Sequence, residues 1–235
     1  MTKTICRLFF AVILGITLIN TQTDLSSTAA TTDFRNFDFK AYLSRPCIAL
    51  TFDDGPHPVF THEILQILGQ EGAKATFFVV GKQVKLFPDL LKEIAASGNE
   101  IGNHTYNHLN LTTLTPSQVD SEIRMNEQII KQVTGLNPRY FRPPGGHYDC
   151  EVVDIAKENG EDMALWSVAS HDTDRPPADY ICHRVLNNVQ NKGIILLHSG
   201  VEQTIEALPV LIRELKKKGY RLVTLSELDD TGGPS

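Results

Sequence analysis

Two adjacent carboxylates, Asp53 and Asp54, and two histidines four residues apart, His104 and His108, are the groups of this chain whose types and spacing could do chemistry. One helix-like turn of backbone can aim both imidazoles of such a pair at a single point. A carboxylate from the distant Asp-Asp segment then completes a two-histidine, one-carboxylate ligand set for a divalent metal, with a position left open for water or substrate. The second Asp cannot simply join that set. Neighbouring side chains in extended backbone point to opposite faces, and the turn signalled by Gly55-Pro56 is what can bring both carboxylates near one cavity. The division of labour this implies is one ligand and one base. Alone, Asp-Asp-Gly-Pro is ordinary turn chemistry and His-x-x-x-His an ordinary solvated helix face, so their placement relative to the strands decides.

Seven strand candidates follow residue 44, at 47–52, 75–80, 100–104, 140–142, 163–168, 194–198 and 221–225. Amphipathic segments separate them. In 116–133 the apolar Val119, Ile123, Ile130 and Val133 share one helical face, and Thr115-Pro116 forms an N-cap and first-turn pair. In 204–218 a second stripe (Ile205, Leu208, Leu211, Ile212, Leu215) ends in three lysines and Gly219, which suit a helix C-terminus. Such alternation predicts a parallel sheet. The polar residues then choose between an open sheet and a barrel. Asp53 and Asp54 follow strand one, His104 and His108 close strand three, Arg142 ends strand four, Asp172 follows strand five and His198 ends strand six. Reactive side chains at several strand ends are the habit of barrels, whereas an open sheet gathers its site at one switch point.

The chain has 235 residues, 41% of them hydrophobic, which suits one domain with a full core. A formal charge of −6 without a long basic run excludes nucleic acid as a partner class. Lys3 and Arg7 precede an apolar run at 8–19, and the small residues Thr28-Ala29-Ala30 follow, so 1–30 reads as an export signal. Twelve helical residues span only about 18 Å, short of a roughly 30 Å hydrocarbon core. A cleaved signal is therefore favoured over an uncleaved anchor, and the protein is expected in the periplasm or outside the cell. Residues 31–44 read as a linker, 45–228 as the working domain and 229–235 as a tail. Cys6 lies in the signal. Cys47, Cys150 and Cys182 match no zinc spacing, and either a Cys150–Cys182 disulfide or three free thiols would satisfy them.

Five ordered motifs over about 45–228 resemble those of the polysaccharide deacetylases of carbohydrate esterase family four, the nodulation-type deacetylase domain: Thr51–Gly55 (TFDDG), His104–His108 (HTYNH), Phe141-Arg142-Pro143-Pro144, Trp166 through Asp172, and Leu196-Leu197-His198. The resemblance implies an α/β fold, a distorted (β/α)7 barrel of TIM-barrel-like form. It implies Asp53 as general base, Asp54, His104 and His108 as ligands of a divalent metal, Arg142 as the residue orienting the base, and His198 as general acid held by Asp172. Zinc is the first choice of metal, with cobalt, nickel or manganese as alternatives. The N–H of Gly145 would donate to the oxyanion, and Pro144, Trp166 and Leu196 would line the substrate pocket. Three departures concern that pocket: Gly145 replaces a usual aromatic, Thr173 a usual Trp and Ala169 a frequent Asp.

The activity so implied is metal-dependent removal of N-linked acetyl groups from an acetylated polysaccharide containing N-acetylglucosamine, peptidoglycan or a chitin-type oligosaccharide, with release of acetate. Two alternatives stay open within the family, O-acetyl ester cleavage on acetylated xylan and a non-catalytic glycan-binding descendant. An iron oxygenase could also use two His and one Asp, but would leave Asp53, Arg142 and His198 without a role. His57, His62 and His147 lie near motif loops and read as solvated, while His171 and His183 read as structural. Trp166 reads as pocket wall or core aromatic.

Overall fold

The computed structural model describes residues 45–231. The expected export signal and linker, Cys6 and the last four residues of the expected tail lie outside the described residues. In chain order the elements are β1 (Cys47–Gly55), α1 (Phe60–Gln70), β2 (Ala75–Val79), α2 (Gly81–Leu86), α3 (Pro88–Ala96), β3 (Glu100–Asn103), α4 (Pro116–Thr134), β4 (Tyr140–Phe141), α5 (Cys150–Glu158), β5 (Asp162–Met163), β6 (Val168–Ala169), α6 (Ala178–Asn188), β7 (Gly193–His198), α7 (Glu202–Lys217), β8 (Arg221–Val223) and α8 (Leu225–Asp230).

β1 organises the sheet because it is apolar on both faces. Its residues alternate between two cores. Ile48, Leu50 and Phe52 pack outward with Ile64 and Leu68 of α1 and Leu208, Leu211, Ile212 and Leu215 of α7. Cys47 and Ala49 point the other way, into a smaller cluster with Phe78, Tyr140 and Ala164, which Leu225 and Leu228 of α8 join. By the same period of two, Thr51 and Asp53 continue the inward row. Asp53 thus stands at the top of a column whose lower rungs are apolar. Each fully buried Leu or Ile of the outer core contributes roughly 1.5–3 kcal/mol.

All strand pairings are parallel, in the order β5-β4-β3-β2-β1-β7-β6. β8 pairs with Cys47–Ala49, so β8 and β2 share one edge of β1 in succession. The sheet curls into the expected distorted (β/α)7 barrel. One predicted strand is corrected. Residues 163–168 do not form a single strand but split, β5 pairing with β4 and β6 with β7. The cause is Arg142, whose Nε and Nη2 draw in the carbonyls of Ala164 and Leu165 at 2.9 and 3.1 Å and take them out of the ladder. The two end strands of the sheet, β5 and β6, are joined along the chain by this bent segment. The last predicted strand, 221–225, also ends early, because Thr224 caps α8 with its hydroxyl toward the Glu227 N–H at 3.3 Å. α8 then runs on to Asp230, beyond 228.

The two helices predicted by periodicity form at 116–134 and 202–217. Thr115 begins α4, its N–H donating to Gln118 Oε1 at 2.9 Å, and Gly135 ends it at φ 76°. Cys47, Cys150 and Cys182 are unpaired, so no disulfide joins Cys150 to Cys182. Among the described residues no helix is long and apolar enough to cross a membrane.

One buried acid makes stability depend on pH. Glu161 is 1% exposed, with Oε1 accepting from Asn103 Nδ2 at 2.9 Å and Oε2 without a partner. Burial pushes its carboxyl up to about 8, against the Asn103 hydrogen bond and helped by the charge of Glu127. A raised folded pKa adds stability that is complete below the unfolded value near 4.5 and is lost as pH rises through about 8. The thermal midpoint should therefore fall across that window, and Glu161→Gln should flatten the slope. An unchanged slope in the variant would assign the pH dependence elsewhere.

Candidate active site

The top of β1 is irregular. Its register with β2 shifts between Phe52 and Gly55, and Asp54 adopts φ 66°. The backbone reversal expected at Gly55-Pro56 therefore begins one step earlier, at Asp54, a residue type that tolerates the left-handed region. This swings Asp54 to the side of the sheet that Asp53 already faces. Asp53 is 3% exposed, whereas the Asp54 side chain is 42% exposed.

The histidine segment is not the helical turn that its spacing suggests. Thr105 and His108 both lie in the left-handed region, at φ 63° and 58°, and the His108 N–H donates to Thr105 Oγ1 at 3.1 Å. The rings nonetheless converge. Asp54 Oδ1 lies 3.0 Å from His108 Nε2 and 3.5 Å from His104 Nε2, and the three ligand atoms all fall within 4.8 Å of one another. His104 Nδ1 donates to the Arg142 carbonyl at 2.7 Å, which fixes the tautomer and turns the Nε2 lone pair toward the carboxylates.

These residues fit a divalent cation. Asp54 Oδ1 is buried and receives no directed hydrogen bond, although two ring nitrogens lie beside it. An orphaned anionic oxygen facing two imidazoles is what a metal ion satisfies, and mixed N and O donors suit zinc and its neighbours. Burial disfavours the charged Asp54 carboxylate, but His104 and His108 outweigh it and hold its pKa well below the usual range. Asp54 in turn raises His108, partly opposed by burial.

Asp53 is held apart from this set. Arg142, wholly buried, donates from Nη1 to Asp53 Oδ1 at 2.7 Å and to Thr51 Oγ1 at 2.8 Å, and stacks 4.0 Å from the centre of the Phe78 ring. Asp53 Oδ2 stays 3.7 Å from His104 Nε2. On the adjacent strand, His198 is the register partner of Asp53. Its Nδ1 donates to Asp172 Oδ1 at 2.8 Å, and its backbone N–H to Asp172 Oδ2 at 2.7 Å. Thr204 Oγ1 donates to that same Oδ2 at 2.6 Å. Burial opposes both charges here, yet the pairing prevails: Asp172 is lowered and His198 is raised, the latter also by Asp53 and Asp54.

The expected pocket residues are placed less uniformly. Trp166 lies over Gly146, where a Cβ would meet the ring at 2.7 Å, and 5.7 Å from the Arg142 guanidinium. Pro144 is buried, Gly145 is exposed at φ 64°, and Leu196 is buried two residues below His198. The exposed His147 ring fills the space over Gly145, 2.9 Å from a Cβ position there. His57 Nδ1 accepts the Val59 and Phe60 N–H groups at 3.3 and 3.2 Å, His62 pairs with Glu93 at 2.9 Å, and His171 lies 3.5 Å from Asp174. Sequence reasoning missed Thr51 and Thr204. Thr51 was legible as the rung below Asp53, and Thr204 as a polar residue in an apolar helical stripe.

Seven chemically capable side chains at the carboxyl ends of five parallel strands form the layout in which barrel proteins carry their sites. The chain belongs to the polysaccharide deacetylase family, whose model it matches over residues 40–164. It is 40% identical over 186 residues to a peptidoglycan-N-acetylglucosamine deacetylase of Bacillus cereus, covering 77% of this chain and 87% of that one. It is 33% identical over 196 residues to a chitooligosaccharide deacetylase of a Bradyrhizobium species, covering 77% and 90%. Among solved structures, a mutant of BA3943, a pseudoenzyme of the same esterase family from Bacillus anthracis whose enzymatic activity the mutation restored, superposes with a TM-score of 0.76 at 34% identity, over 79% of this chain and 68% of that one.

Two outcomes test the geometry directly. His104→Ala and His108→Ala should each lose bound metal in elemental analysis, and full occupancy in either would refute the ligand set. Asp172→Asn should lower the His198 pKa in an NMR titration, because the anion that raises it is gone. A titration identical to wild type would sever that pair.

Proposed function

We propose that this protein is a metal-dependent N-deacetylase of polysaccharide containing N-acetylglucosamine, peptidoglycan first and chitin-type oligosaccharide second. The observation that carries the reading is the separation of Asp53 from the Asp54–His104–His108 set by Arg142. It leaves a base beside a metal-binding constellation and an acid on the next strand. Similarity to relatives named for both substrates supports the substrate class.

An amide carbonyl is a poor electrophile, so its hydrolysis needs an activated water, charge stabilisation and a proton for the leaving nitrogen. A divalent metal, with zinc first and cobalt, nickel or manganese as alternatives, would be held by Asp54, His104 and His108 and would supply Lewis acidity and a more acidic water. Asp53, with Oδ1 engaged by Arg142, has Oδ2 free to take the proton of the attacking water. Such a base typically contributes ~10²–10⁴ in rate. The Gly145 N–H offers a donor to the developing oxyanion, the kind of contact that usually supplies the largest stabilisation. His198, kept in the donor form at Nδ1 by Asp172, delivers a proton from Nε2 to the departing amine. Pro144, Trp166 and Leu196 contribute walls around the acetyl and sugar groups. Action outside the cytoplasm fits the basic-then-apolar start of the chain.

A glycan-binding role without catalysis is the second reading, favoured by the pseudoenzyme among the structural neighbours. Release of acetate from peptidoglycan, chitooligosaccharide and acetylxylan, with and without chelator, separates the readings. Chelator-sensitive release from the first two supports the proposal, release from acetylxylan alone makes the protein an O-acetyl esterase, and no release at all leaves the binding role. The two aspartates should then divide. Asp53→Asn should keep metal and lose turnover by ~10²-fold or more, whereas Asp54→Asn should lose metal, with activity partly restored by excess. A fully active Asp53→Asn would end the general-base mechanism.

A further inference from the structure

The inner face of α4 is polar where a barrel helix is ordinarily apolar. Glu122 and Asn126, one turn apart, are buried there beside Val119, Ile123 and Ile130, at 6% and 0% exposure. Burying a carboxyl and an amide is unfavourable unless their bonds are made; Glu122 makes its bonds to the histidine segment, while Asn126 reaches it through Asn103 from Nδ2 and leaves its Oδ1 without a partner. Glu122 Oε2 accepts the Asn107 backbone N–H at 2.7 Å, its Oε1 accepts Asn107 Nδ2 at 2.5 Å, and its backbone carbonyl accepts the Tyr106 N–H at 3.1 Å. Asn126 Nδ2 donates to Asn103 Oδ1 at 2.7 Å and to the Val79 carbonyl at 2.7 Å. Asn103 Oδ1 accepts the Thr105 N–H as well, at 2.9 Å. Three consecutive backbone N–H groups between the two histidines are thereby held, directly or through Asn103, by one face of one helix.

The segment needs such holding. Thr105 and His108 sit at left-handed φ values, which are unfavourable in a non-glycine residue and persist only where the surroundings over-determine them. The two histidines differ in what else secures them. The His104 ring is tied to the Arg142 carbonyl, while His108 is 41% exposed in its side chain and has no such bond to its ring beyond the approach to Asp54.

We propose that Glu122 and Asn126 are positioning residues for the candidate metal centre, holding the 105–108 backbone in the strained conformation that brings His108 to Asp54 and His104. The inference rests on the reading of Asp54, His104 and His108 as metal ligands. Without the clamp the segment relaxes, His108 swings away, and the site falls from three protein ligands to two.

The test uses the full chain, stripped of metal and titrated with Co²⁺, whose visible spectrum reports coordination. Amide hydrogen exchange at Tyr106 and Asn107 is followed in the same samples. Glu122→Ala should weaken Co²⁺ binding ~10–100-fold, the usual loss when a partner behind a metal ligand is removed, and speed exchange most at the Asn107 amide, which loses its acceptor, and less at Tyr106, whose acceptor is the backbone carbonyl of residue 122. Glu122→Gln keeps one acceptor and should fall between Glu122→Ala and wild type. Met125→Ala, on the exposed side of the same helix, should match wild type. If Glu122→Ala does not fold, Glu122→Gln decides: weakened binding with a retained fold supports the clamp, and wild-type binding overturns it. Wild-type Co²⁺ affinity in Glu122→Ala also overturns it. Failure of the wild-type protein itself to bind Co²⁺ would instead bring down the metal reading, and the exchange rates would then show separately whether α4 holds the segment.

Discussion

A guanidinium buried without solvent must find an acceptor for its N–H groups, and much of this barrel is arranged around that demand at Arg142. Its Nε and Nη2 take the carbonyls of Ala164 and Leu165, and its Nη1 takes Thr51 and Asp53. Desolvating such a charge costs several kcal/mol even after relaxation, and the planar fork of Arg, with its five fixed donors, reaches acceptors on two segments at once. The result is a brace between β1, β4 and the bent segment that joins β5 to β6. One side chain thereby breaks a strand and fixes a carboxylate.

From that brace follows the separation of two chemically identical neighbours. Arg142 captures Asp53 Oδ1 inside the barrel, where the period of β1 has already aimed it. Asp54 would face the outer core if β1 stayed regular, a ruinous place for a carboxylate. The left-handed turn at Asp54 removes that conflict and delivers the group to the histidines instead. The strain in the turn and the function of the residue are thus one feature, which is where departures from local preference are expected.

Much of this was legible in the sequence because periodicity reports burial. The rows on β1 and β7 and the stripes of α4 and α7 could be read one residue at a time, and with them the strand ends that carry Asp53, His104, Arg142 and His198. Residues 163–168 misled because Met-Ala-Leu-Trp-Ser-Val has the composition of a strand, and the force that bends it comes from Arg142, distant in sequence. The 104–108 segment misled for a related reason. A spacing of four suits a helix, but a left-handed turn satisfies it equally, and what selects that turn lies on α4. Local pattern carries local preference. Hydrogen bonds that cross between elements leave only faint marks, such as a Glu or a Thr on an otherwise apolar face.

A pseudoenzyme with a similar fold is a reminder that a barrel can be kept while its chemistry is lost. What matters in this chain is therefore less the barrel than the register within it. Asp53 and His198 are cross-strand partners between β1 and β7, and each is fastened from behind by a buried group of opposite charge, Arg142 for the one and Asp172 for the other. A slip of one residue between β1 and β7 would turn either the base or the acid to the outer face. The apolar rungs beneath them, Ala49 and its register partner Ile194 among them, would then lose their own core. Hydrophobic burial and site geometry consequently select the same register, so the packing that makes the sheet stable is also what sets the acid opposite the base.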